Sequence, residues 1–229
     1  MKSKTKAVVI GGGVVGVSTL YHLAAKGWND SVLFERKLLT SGSTWHAAGL
    51  LPLFNMSYSV GQIHKYSVKF YKELQEETGM DVGFKNVSNI RLATTQDRMD
   101  EYLQYRGVAE TIGVNVELLT PEQVREIWPF CSTEGLIGAI RHPDDGYIQP
   151  ADLTQALAKG ARNKGAEIHV NTEVLNIIQN KNGTWCVETS KGEIECDHVI
   201  SCTGNFVRKT GAMVGLEIPV IPVEHQFIV

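Results

Sequence analysis

The feature that most constrains the fold is a glycine-rich turn between an apolar strand and a helix. Gly11, Gly13 and Gly16 follow the predicted strand Lys6–Ile10 and open the predicted helix Val14–Lys26. In this order the first glycine permits a tight turn, the second lets the backbone approach a bound group, and the third lets helix and strand pack closely. Unpaired amides and the positive dipole end of such a helix attract phosphate. The chain is therefore predicted to begin with a dinucleotide-binding βαβ unit.

An acidic residue in the expected place supports this interpretation. Glu35 ends the next predicted strand, nineteen residues after the last glycine of the turn. A carboxylate at that distance accepts hydrogen bonds from the adenosine ribose hydroxyls of a bound dinucleotide. Val14, Val15 and Arg36, which are direct neighbours of these residues in the sequence, are assigned to the same site.

The later strands favour FAD over NAD as the dinucleotide. An NAD-dependent domain normally continues with another helix and strand, whereas this chain is predicted to return to the sheet only near residue 167. The predicted hairpins of 174–195 form a small β-meander that crosses one face of the sheet. Parallel strands of the sheet are predicted at 6–10, 31–35, 167–170 and 198–201.

A second glycine turn follows the last of these strands, as is typical of FAD-binding folds. Gly204 is the glycine of that turn, and Phe206 follows it closely. Val174 lies where such folds hold adenine through a backbone amide and carbonyl, although it could equally be a plain strand residue. All three are assigned to the cofactor site.

The predicted fold class is α/β, with a Rossmann-like FAD-binding domain of the glutathione-reductase type interleaved with an α+β substrate domain. The FAD-binding domain is assigned to 1–54 and 146–215, and the substrate domain to 55–145 and 216–229. The apolar stretch from Ile218 is predicted to be a strand that the chain end interrupts. The chain is therefore expected to be a fragment that, expressed alone, is poorly soluble and inactive.

Composition excludes several function classes. A net charge of −3 over 229 residues offers no basic surface for nucleic acid. No apolar run reaches the roughly 18 residues of a membrane span. The four cysteines contain no CxxC pair, so they are interpreted as reduced thiols, and no metal site is expected. The opening residues are too few for a transit peptide, so a cytoplasmic location is expected, or the mitochondrial matrix in a eukaryote.

A histidine in a segment of small residues is the most specific feature of the chain. The segment begins five residues after Glu35 and reads Thr40-Ser41-Gly42-Ser43-Thr44-Trp45-His46-Ala47-Ala48-Gly49-Leu50. Its small residues let the backbone lie close to a flat ligand, and an imidazole placed there could touch that ligand or bond to it covalently. A buried, hydrogen-bonded loop histidine is the alternative for His46.

With these residues placed, the chain resembles the dimethylglycine dehydrogenase and sarcosine dehydrogenase family, which belongs to the D-amino-acid-oxidase-like flavoenzymes. The string from Gly42 to Gly49 carries most of the resemblance, and Ile221–Gln226 adds to it. The resemblance implies an 8α-histidyl bond between His46 and FAD. It also implies cofactor contacts from Gly42, Ser43, Thr44, Trp45, Ala47, Ala48, Gly49 and Leu50, and a folate-binding domain in full-length relatives, so tetrahydrofolate is a further expected cofactor.

The activity that the resemblance implies is FAD-dependent oxidative N-demethylation of a small N-methylated amino acid such as dimethylglycine. The electrons would pass to an electron-transfer flavoprotein or to oxygen. His225 is the candidate catalytic residue, although it could instead be a strand histidine packed between aromatic rings. His142, which precedes Pro143, is expected in a surface loop. Two alternatives stay open: a sarcosine or other amine dehydrogenase or oxidase, and a non-catalytic regulatory relative of the same fold.

Overall fold

The computed structural model of the protein describes residues 1–224 and residue 226. In these residues, the chain forms the helices α1 (Val14–Ala25), α2 (Tyr58–Thr78), α3 (Gln96–Ile112), α4 (Pro121–Ile127), α5 (Pro150–Asn163) and α6 (Val207–Ala212). Short 3-10 helices cover Ser43–His46 and Gly204–Phe206. The strands are β1 (Lys4–Ile10), β2 (Ser31–Phe34), β3 (Leu50–Leu51), β4 (Lys85–Asn86), β5 (Asn89–Ala93), β6 (Glu117–Leu119), β7 (Gly138–His142), β8 (Gly146–Tyr147), β9 (Glu167–His169), β10 (Val174–Gln179), β11 (Trp185–Thr189) and β12 (Gly192–Ser201).

The elements group into two compact units. Unit 1 consists of Met1–Ala48, Glu77–Asp81 and the chain from Pro150 onward, and unit 2 consists of Gly49–Glu76 and Val82–Gln149. These boundaries differ by a few residues from the predicted domain limits, and the segment after residue 215 groups with unit 1. The division into a cofactor domain and a substrate domain stays a prediction.

Unit 1 is built on a six-stranded sheet with the strand order β10-β11-β12-β1-β2-β9. Strands β12, β1, β2 and β9 run parallel to one another, which confirms the predicted parallel strands and the α/β fold class. The apolar side chains of β1 and β2 are fully enclosed, as expected for a parallel sheet that is covered on both faces. Val8, Phe34 and Ile194 share one core cluster on this sheet.

The predicted meander differs from the structure in two respects. The region predicted as two short strands is one continuous strand, β12, because no glycine or proline interrupts it after Gly192. Cys196 in β12 is opposite Thr5 of β1 on one side and Trp185 of β11 on the other. The hairpins β10–β12 therefore extend the sheet at its edge, and the prediction that they cross one face was wrong.

The apolar stretch from Ile218, which was predicted to be a strand, also differs from its prediction. Residues 218–224 have no strand pairing in the structure, so the strand prediction is wrong for this part of the chain. Residues 225 and 227–229 lie outside the described part. The Val220 amide donates to the carbonyl of Ile218 at 2.9 Å, a local turn that is incompatible with extended pairing at these residues.

Unit 2 contains two three-stranded antiparallel sheets, with the orders β3-β8-β4 and β5-β7-β6. Helix α3 contributes Tyr102, Tyr105, Ala109 and Ile112 to the core of this unit. A capping box starts α4, as the sequence Thr120-Pro121-Glu122-Gln123 indicates: the Thr120 hydroxyl accepts from the Gln123 amide, and the Gln123 side chain accepts from the Thr120 amide.

Two titratable side chains, those of His142 and Asp145, are buried inside unit 2. Each is at most 1% exposed, so the expectation of a surface loop at His142 was wrong. His142 ends β7, where the rings of Phe54 and Tyr105 contact it at centroid distances of 5.9 and 5.4 Å. Asp145 Oδ1 accepts a hydrogen bond from the Leu53 amide at 2.9 Å. The side chain of Asp145 therefore links β8 to the segment after β3.

Burial shifts the two pKa values in opposite directions. It raises the pKa of Asp145 from 3.8 to about 6, while the Leu53 amide and Arg91 oppose the change and Asp144 adds to it. It lowers the pKa of His142 from 6.5 to about 4, and the charge of Arg91 adds to the shift. Tyr105, which packs on His142, also has a pKa raised by burial.

These shifts make the stability of the fold depend on pH. Between about pH 4 and 6, the folded chain holds a proton at Asp145 that the unfolded chain has lost, and it lacks a proton at His142 that the unfolded chain holds. The stability contribution of Asp145 is lost as pH rises through 6, and that of His142 is lost as pH falls through 4.

Asp145→Asn should therefore expose the pH dependence of His142. The amide oxygen still accepts from Leu53, but stability relative to the double variant that also carries His142→Phe should now rise with pH between about 4 and 6.5. His142→Phe should give the opposite slope, with stability falling between about pH 4 and 6. Each slope has a ceiling of about 1.4 kcal/mol per pH unit, the value for one proton. Urea unfolding of both variants, the double variant and the unchanged chain at several pH values tests this. Slopes of the same sign in the two single variants would contradict it.

Candidate cofactor site

A cleft of about 670 Å³ opens in unit 1 where β1, β2 and β12 end. The carboxyl ends of parallel strands are where ligands bind in open α/β sheets. Residues from the glycine turn, from the chain after β2, from the segment before β10 and from the chain after β12 line this cleft. They are Ile10–Val15, Phe34–Lys37, Ser41–Thr44, Ala47, Thr172–Val174, Ser201–Val207, Lys209, Thr210, Met213 and Val220.

The glycine turn has the close packing that its sequence predicted. Gly11 has φ of +111°, which favours glycine, and a Cβ there would overlap the carbonyl oxygen of Cys202. A Cβ on Gly16 would overlap the carbonyl oxygen of Gly11 itself. These positions let β1, α1 and the turn after β12 meet at backbone distance. The N-terminus of α1 consequently opens into the cleft through Gly13, Val14 and Val15.

Glu35 is held in place by backbone amides. Its Oε2 accepts from the Gly12 amide at 2.7 Å and its Oε1 from the Lys37 amide at 2.8 Å. A carboxylate oxygen has a second lone pair, so each atom retains capacity for one further donor. Glu35 therefore offers a pre-oriented pair of acceptors at the cleft, as the binding of two adjacent hydroxyl groups requires.

The segment after β2 turns into the 3-10 helix Ser43–His46 beside the cleft. Thr44 is its buried anchor, because the Thr44 hydroxyl accepts from the Val14 amide at 2.9 Å and so caps α1 from outside that helix. His46 is exposed, and its Nδ1 lies 3.1 Å from the Gly42 carbonyl oxygen. An oxygen acceptor at Nδ1 requires the proton on that nitrogen, which leaves the Nε2 lone pair available.

Two contacts connect the chain after β12 to the opposite sides of the cleft. The guanidinium carbon of Arg36 lies 3.9 Å from the centroid of the Phe206 ring. On the other side, Lys209 Nζ lies 3.2 Å from Glu173 Oε1. All four residues line the cleft, and both pairs are largely solvent-exposed.

The structure brings most of the predicted cofactor residues together in the cleft lining. Gly16 lies under the turn, where it acts through packing, and Gly49 and Leu50 belong to unit 2. Trp45, His46 and Ala48 are exposed and do not line the cleft. The predicted residues that line it are Gly11, Gly13, Val14, Val15, Glu35, Arg36, Gly42, Ser43, Thr44, Ala47, Val174, Gly204 and Phe206.

Sequence reasoning missed several lining residues. Thr172 and Glu173 precede the predicted adenine contact Val174, and Cys202 and Thr203 precede Gly204, so adjacency to those predictions was the available signal. Lys209 had no such signal. The predicted catalytic residue, His225, lies outside the described residues.

No helix in the described part of the chain is both long and apolar enough to cross a membrane. No group of three or more His, Cys, Asp or Glu side chains in that part is arranged to hold a metal ion.

Three relatives resemble the chain over nearly its whole length. Dimethylglycine dehydrogenase of Rattus norvegicus is 40% identical over 100% of the chain and 27% of its own length. A formaldehyde-forming 4-methylaminobutanoate oxidase of Paenarthrobacter nicotinovorans is 37% identical over 98% of the chain and 27% of its own length. The pyruvate dehydrogenase phosphatase regulatory subunit of Mus musculus is 34% identical over 100% of the chain and 26% of its own length. The chain thus spans about a quarter of the length of these relatives.

A solved structure and a protein-family description also match the chain over nearly its whole length. The crystal structure of L-proline dehydrogenase from P. horikoshii superposes with a TM-score of 0.87 and 29% identity, over 94% of this chain and 57% of that one. Residues 6–229 match the family described as DAO, FAD dependent oxidoreductase. The glycine turn, the fixed carboxylate and the open helix N-terminus fit the adenine dinucleotide that the family description names. On this evidence, the chain belongs to the DAO family of FAD-dependent oxidoreductases.

Proposed function

We propose that this chain carries the flavin-binding part of an enzyme that oxidatively removes a methyl group from an N-methylated amino acid, with dimethylglycine as the preferred substrate. The observation that carries the proposal is the Ser43–His46 helix, which presents His46 beside the cleft with Nε2 unpaired. Relatives named for the oxidation of dimethylglycine and 4-methylaminobutanoate support this substrate class.

His46 is the proposed point of covalent attachment of FAD. The hydrogen bond from His46 Nδ1 to the Gly42 carbonyl oxygen fixes the orientation and the tautomer of the ring. Nε2 is therefore the nitrogen that is proposed to bond covalently to the flavin. Thr44 anchors the segment through its bond to Val14, which keeps this histidine close to the cleft. The remaining chain residues hold the nucleotide: the α1 N-terminus faces the phosphates, Glu35 binds the ribose, and Val174 lies at the adenine.

The bound flavin supplies the hydride acceptor, and the protein supplies orientation and electrostatics. The substrate amine must be neutral, so that its nitrogen lone pair can assist departure of hydride from the N-methyl carbon. The resulting iminium takes up water to give formaldehyde and the demethylated amine, or is captured by tetrahydrofolate. His225 is the proposed acceptor of the substrate ammonium proton.

Electron-transfer flavoprotein or oxygen is the proposed final acceptor of the electrons from the reduced flavin. The mitochondrial matrix is the proposed location in a eukaryote, and the cytoplasm elsewhere.

An amine panel tests this proposal in the natural protein that holds this chain. Under anaerobic conditions, dimethylglycine should bleach the flavin absorption faster than sarcosine or 4-methylaminobutanoate, and one formaldehyde should form for each flavin reduced. N,N-dimethyl-β-alanine serves as a control, because it has the same amine with a longer spacing to the carboxylate. Rapid bleaching by sarcosine alone would support the sarcosine dehydrogenase alternative, and no bleaching by any amine would overturn the proposal.

Glu35→Gln is expected to weaken capture of FAD while leaving the fold intact. The amide retains one acceptor oxygen but loses the charge, and its NH₂ group faces a backbone amide that also donates. A hydrogen bond to a charged group is worth about 1.5–3 kcal/mol, so the dissociation constant of non-covalent FAD should rise about ten- to a hundredfold. Fluorescence titration of the chain with FAD measures this. Glu193→Gln, which changes an exposed carboxylate of unit 1 outside the cleft lining, is the matched control, and equal affinities for both variants would remove Glu35 from the site.

A regulatory role is the second candidate, because the regulatory subunit named above is 34% identical to the chain. A non-catalytic relative has no requirement for a flavin-linking histidine, whereas His46 and its small neighbours are all present here. A yellow colour that stays with the purified natural protein after acid precipitation would favour the enzyme. A colourless protein that does not take up FAD would favour the regulatory role.

A further inference from the structure

Three side chains of unit 2 bury polar atoms that have no hydrogen-bond partner among the described residues. The atoms are Asn89 Oδ1, both ring nitrogens of His142, and Asp145 Oδ2. His142 and Asp145 are at most 1% exposed, so bulk water does not reach them. Burying a polar group without a hydrogen bond is costly, and nearly all such groups in folded proteins have a partner, in many cases an ordered water molecule. A partner for these atoms is therefore expected inside unit 2.

The backbone brings the three residues to the same end of the sheet β5-β7-β6. Asn89 begins β5 and pairs directly with His142, the last residue of β7. Residues that are directly opposite in an antiparallel pair have Cβ atoms about 4.5–5.5 Å apart on one face of the sheet. The Asp145 amide donates to the His142 carbonyl at 3.3 Å, and the Asp145 carbonyl accepts from Ser88, the residue before Asn89. All three side chains therefore start from one small region of the backbone.

Nearby charges disfavour an ion as the shared ligand. Burial has the largest effect on the pKa values of His142 and Asp145, and the positive charge of Arg91 acts on both in addition. Arg91 is two residues after Asn89 and so extends from the same face of β5, where it would repel a cation. An anion would be repelled by the Asp145 carboxylate, which is ionised above about pH 6. The ligand that fits these charges is neutral.

The hydrogen-bonding groups match one water molecule. Asn89 Oδ1 and Asp145 Oδ2 are both acceptors, so they cannot bond to each other and need a donor between them. A neutral imidazole offers one N–H donor and one acceptor nitrogen. A water molecule can donate to both oxygens and accept from the His142 N–H, which gives the about three hydrogen bonds typical of buried water. The second ring nitrogen is then left as an acceptor, and Arg91 Nε is an unpartnered donor among the described residues of the same face.

We propose that Asn89, His142 and Asp145 bind one internal water molecule, which joins the two antiparallel sheets of unit 2. Asn89 and His142 belong to the sheet β5-β7-β6, whereas Asp145 directly precedes β8 of the sheet β3-β8-β4. The water holds the carboxylate through Oδ2, so that Oδ1 stays on the Leu53 amide. This site is structural and is independent of the proposed function, because no step of amine oxidation uses it.

A high-resolution crystal structure of the natural protein that holds this chain tests the site directly, at a pH well above 6 so that Asp145 is ionised. One ordered water molecule is expected at about 2.7–3.2 Å from Asp145 Oδ2, from Asn89 Oδ1 and from one ring nitrogen of His142. A direct hydrogen bond from His142 to Asp145, with no water between them, would overturn the proposal. A metal ion in this place, with oxygen ligands at about 2.0–2.6 Å, would also overturn it.

Hydrogen exchange of the Leu53 amide tests what the water does in the same protein. Asn89→Leu removes one acceptor of the water at similar side-chain volume and leaves the bond between Leu53 and Asp145 in place. The Leu53 amide should then exchange about fivefold faster, which is the effect of losing one hydrogen bond of typical strength. Asn115→Leu is the matched control, because it removes an exposed amide that donates to Asp144 at 3.1 Å, next to Asp145. This variant should exchange the Leu53 amide at the unchanged rate.

Equal exchange at Leu53 in the two variants would mean that no water holds the carboxylate, and the proposal would be wrong. If Asn89→Leu does not fold, the crystal structure decides the question by itself, since it uses the unchanged protein. A natural protein that holds the water but oxidises no amine would retain the site and reject only the proposed function.

Discussion

Gly16→Ala is expected to abolish FAD binding and to destabilise unit 1 by more than about 4 kcal/mol, at the severe end of single substitutions. The added Cβ would overlap the carbonyl oxygen of Gly11 and would also lie 3.2 Å from the Cys202 side chain. Neither backbone can move away freely, because β1 and β12 are paired along their length. Thermal unfolding and FAD titration of the purified variant measure the two effects.

Gly107→Ala is the matched control, because it makes the same change in the interior of another helix. A Cβ on Gly107 meets nothing within 4 Å, and this glycine does not have a positive φ. Alanine is favoured over glycine in helices by about 0.8–1 kcal/mol, so this variant should be slightly more stable and bind FAD normally. If both variants behave alike, close packing at Gly16 is not what shapes the cleft.

His46→Ala is expected to eliminate covalent flavin completely while leaving non-covalent binding within about threefold, because the nucleotide contacts come from other residues. Mass spectrometry of the denatured natural protein should find FAD attached to the unchanged protein and absent from the variant. His64→Ala is the control, since this histidine lies on α2 in unit 2 and bonds the Pro52 carbonyl through Nδ1. Flavin that remains attached to the denatured His46 variant would show that another residue forms the bond.

Gly42 allows a sharper test of which nitrogen of His46 reacts. The Gly42 carbonyl is the partner that holds the proton on Nδ1, so it leaves Nε2 as the nucleophile. Proteolysis of the flavinated natural protein and NMR of the flavin-bearing peptide identify the linked nitrogen. A bond through Nδ1 would require this hydrogen bond to break and would contradict the proposed geometry.

The parts of the fold that sequence predicts best are those with local patterns. The glycine turn, the carboxylate after β2 and the capping box at Thr120 depend on neighbours within a few residues, and the structure has all three. The two-residue strands β3, β4 and β8 are too short to show a periodic pattern. They exist because distant segments pair with one another, as when the Asp145 carbonyl accepts from the amides of Val87 and Ser88.

His142 shows why burial was harder to predict than secondary structure. A histidine before a proline commonly belongs to an exposed turn, whereas here the rings of Phe54 and Tyr105 enclose it. Those rings come from positions 88 and 37 residues earlier in the sequence, so no local pattern reveals the contact. Lys209 was missed for a similar reason, because only the return of the chain after β12 brings it beside the cleft.

The pairing of β1 with β12 has a consequence for how the protein is made. Lys4 and its ion-pair partner Glu195 are 191 residues apart, so the ribosome releases β1 long before β12 exists. At typical synthesis rates of about 5–20 residues per second, the delay is about 10–40 seconds. During that interval one edge of an apolar strand is unpaired and open to chaperones or to other nascent chains. The turn at Gly204, which completes the cleft, follows β12, so flavin uptake must come after nearly all of these residues have been synthesised.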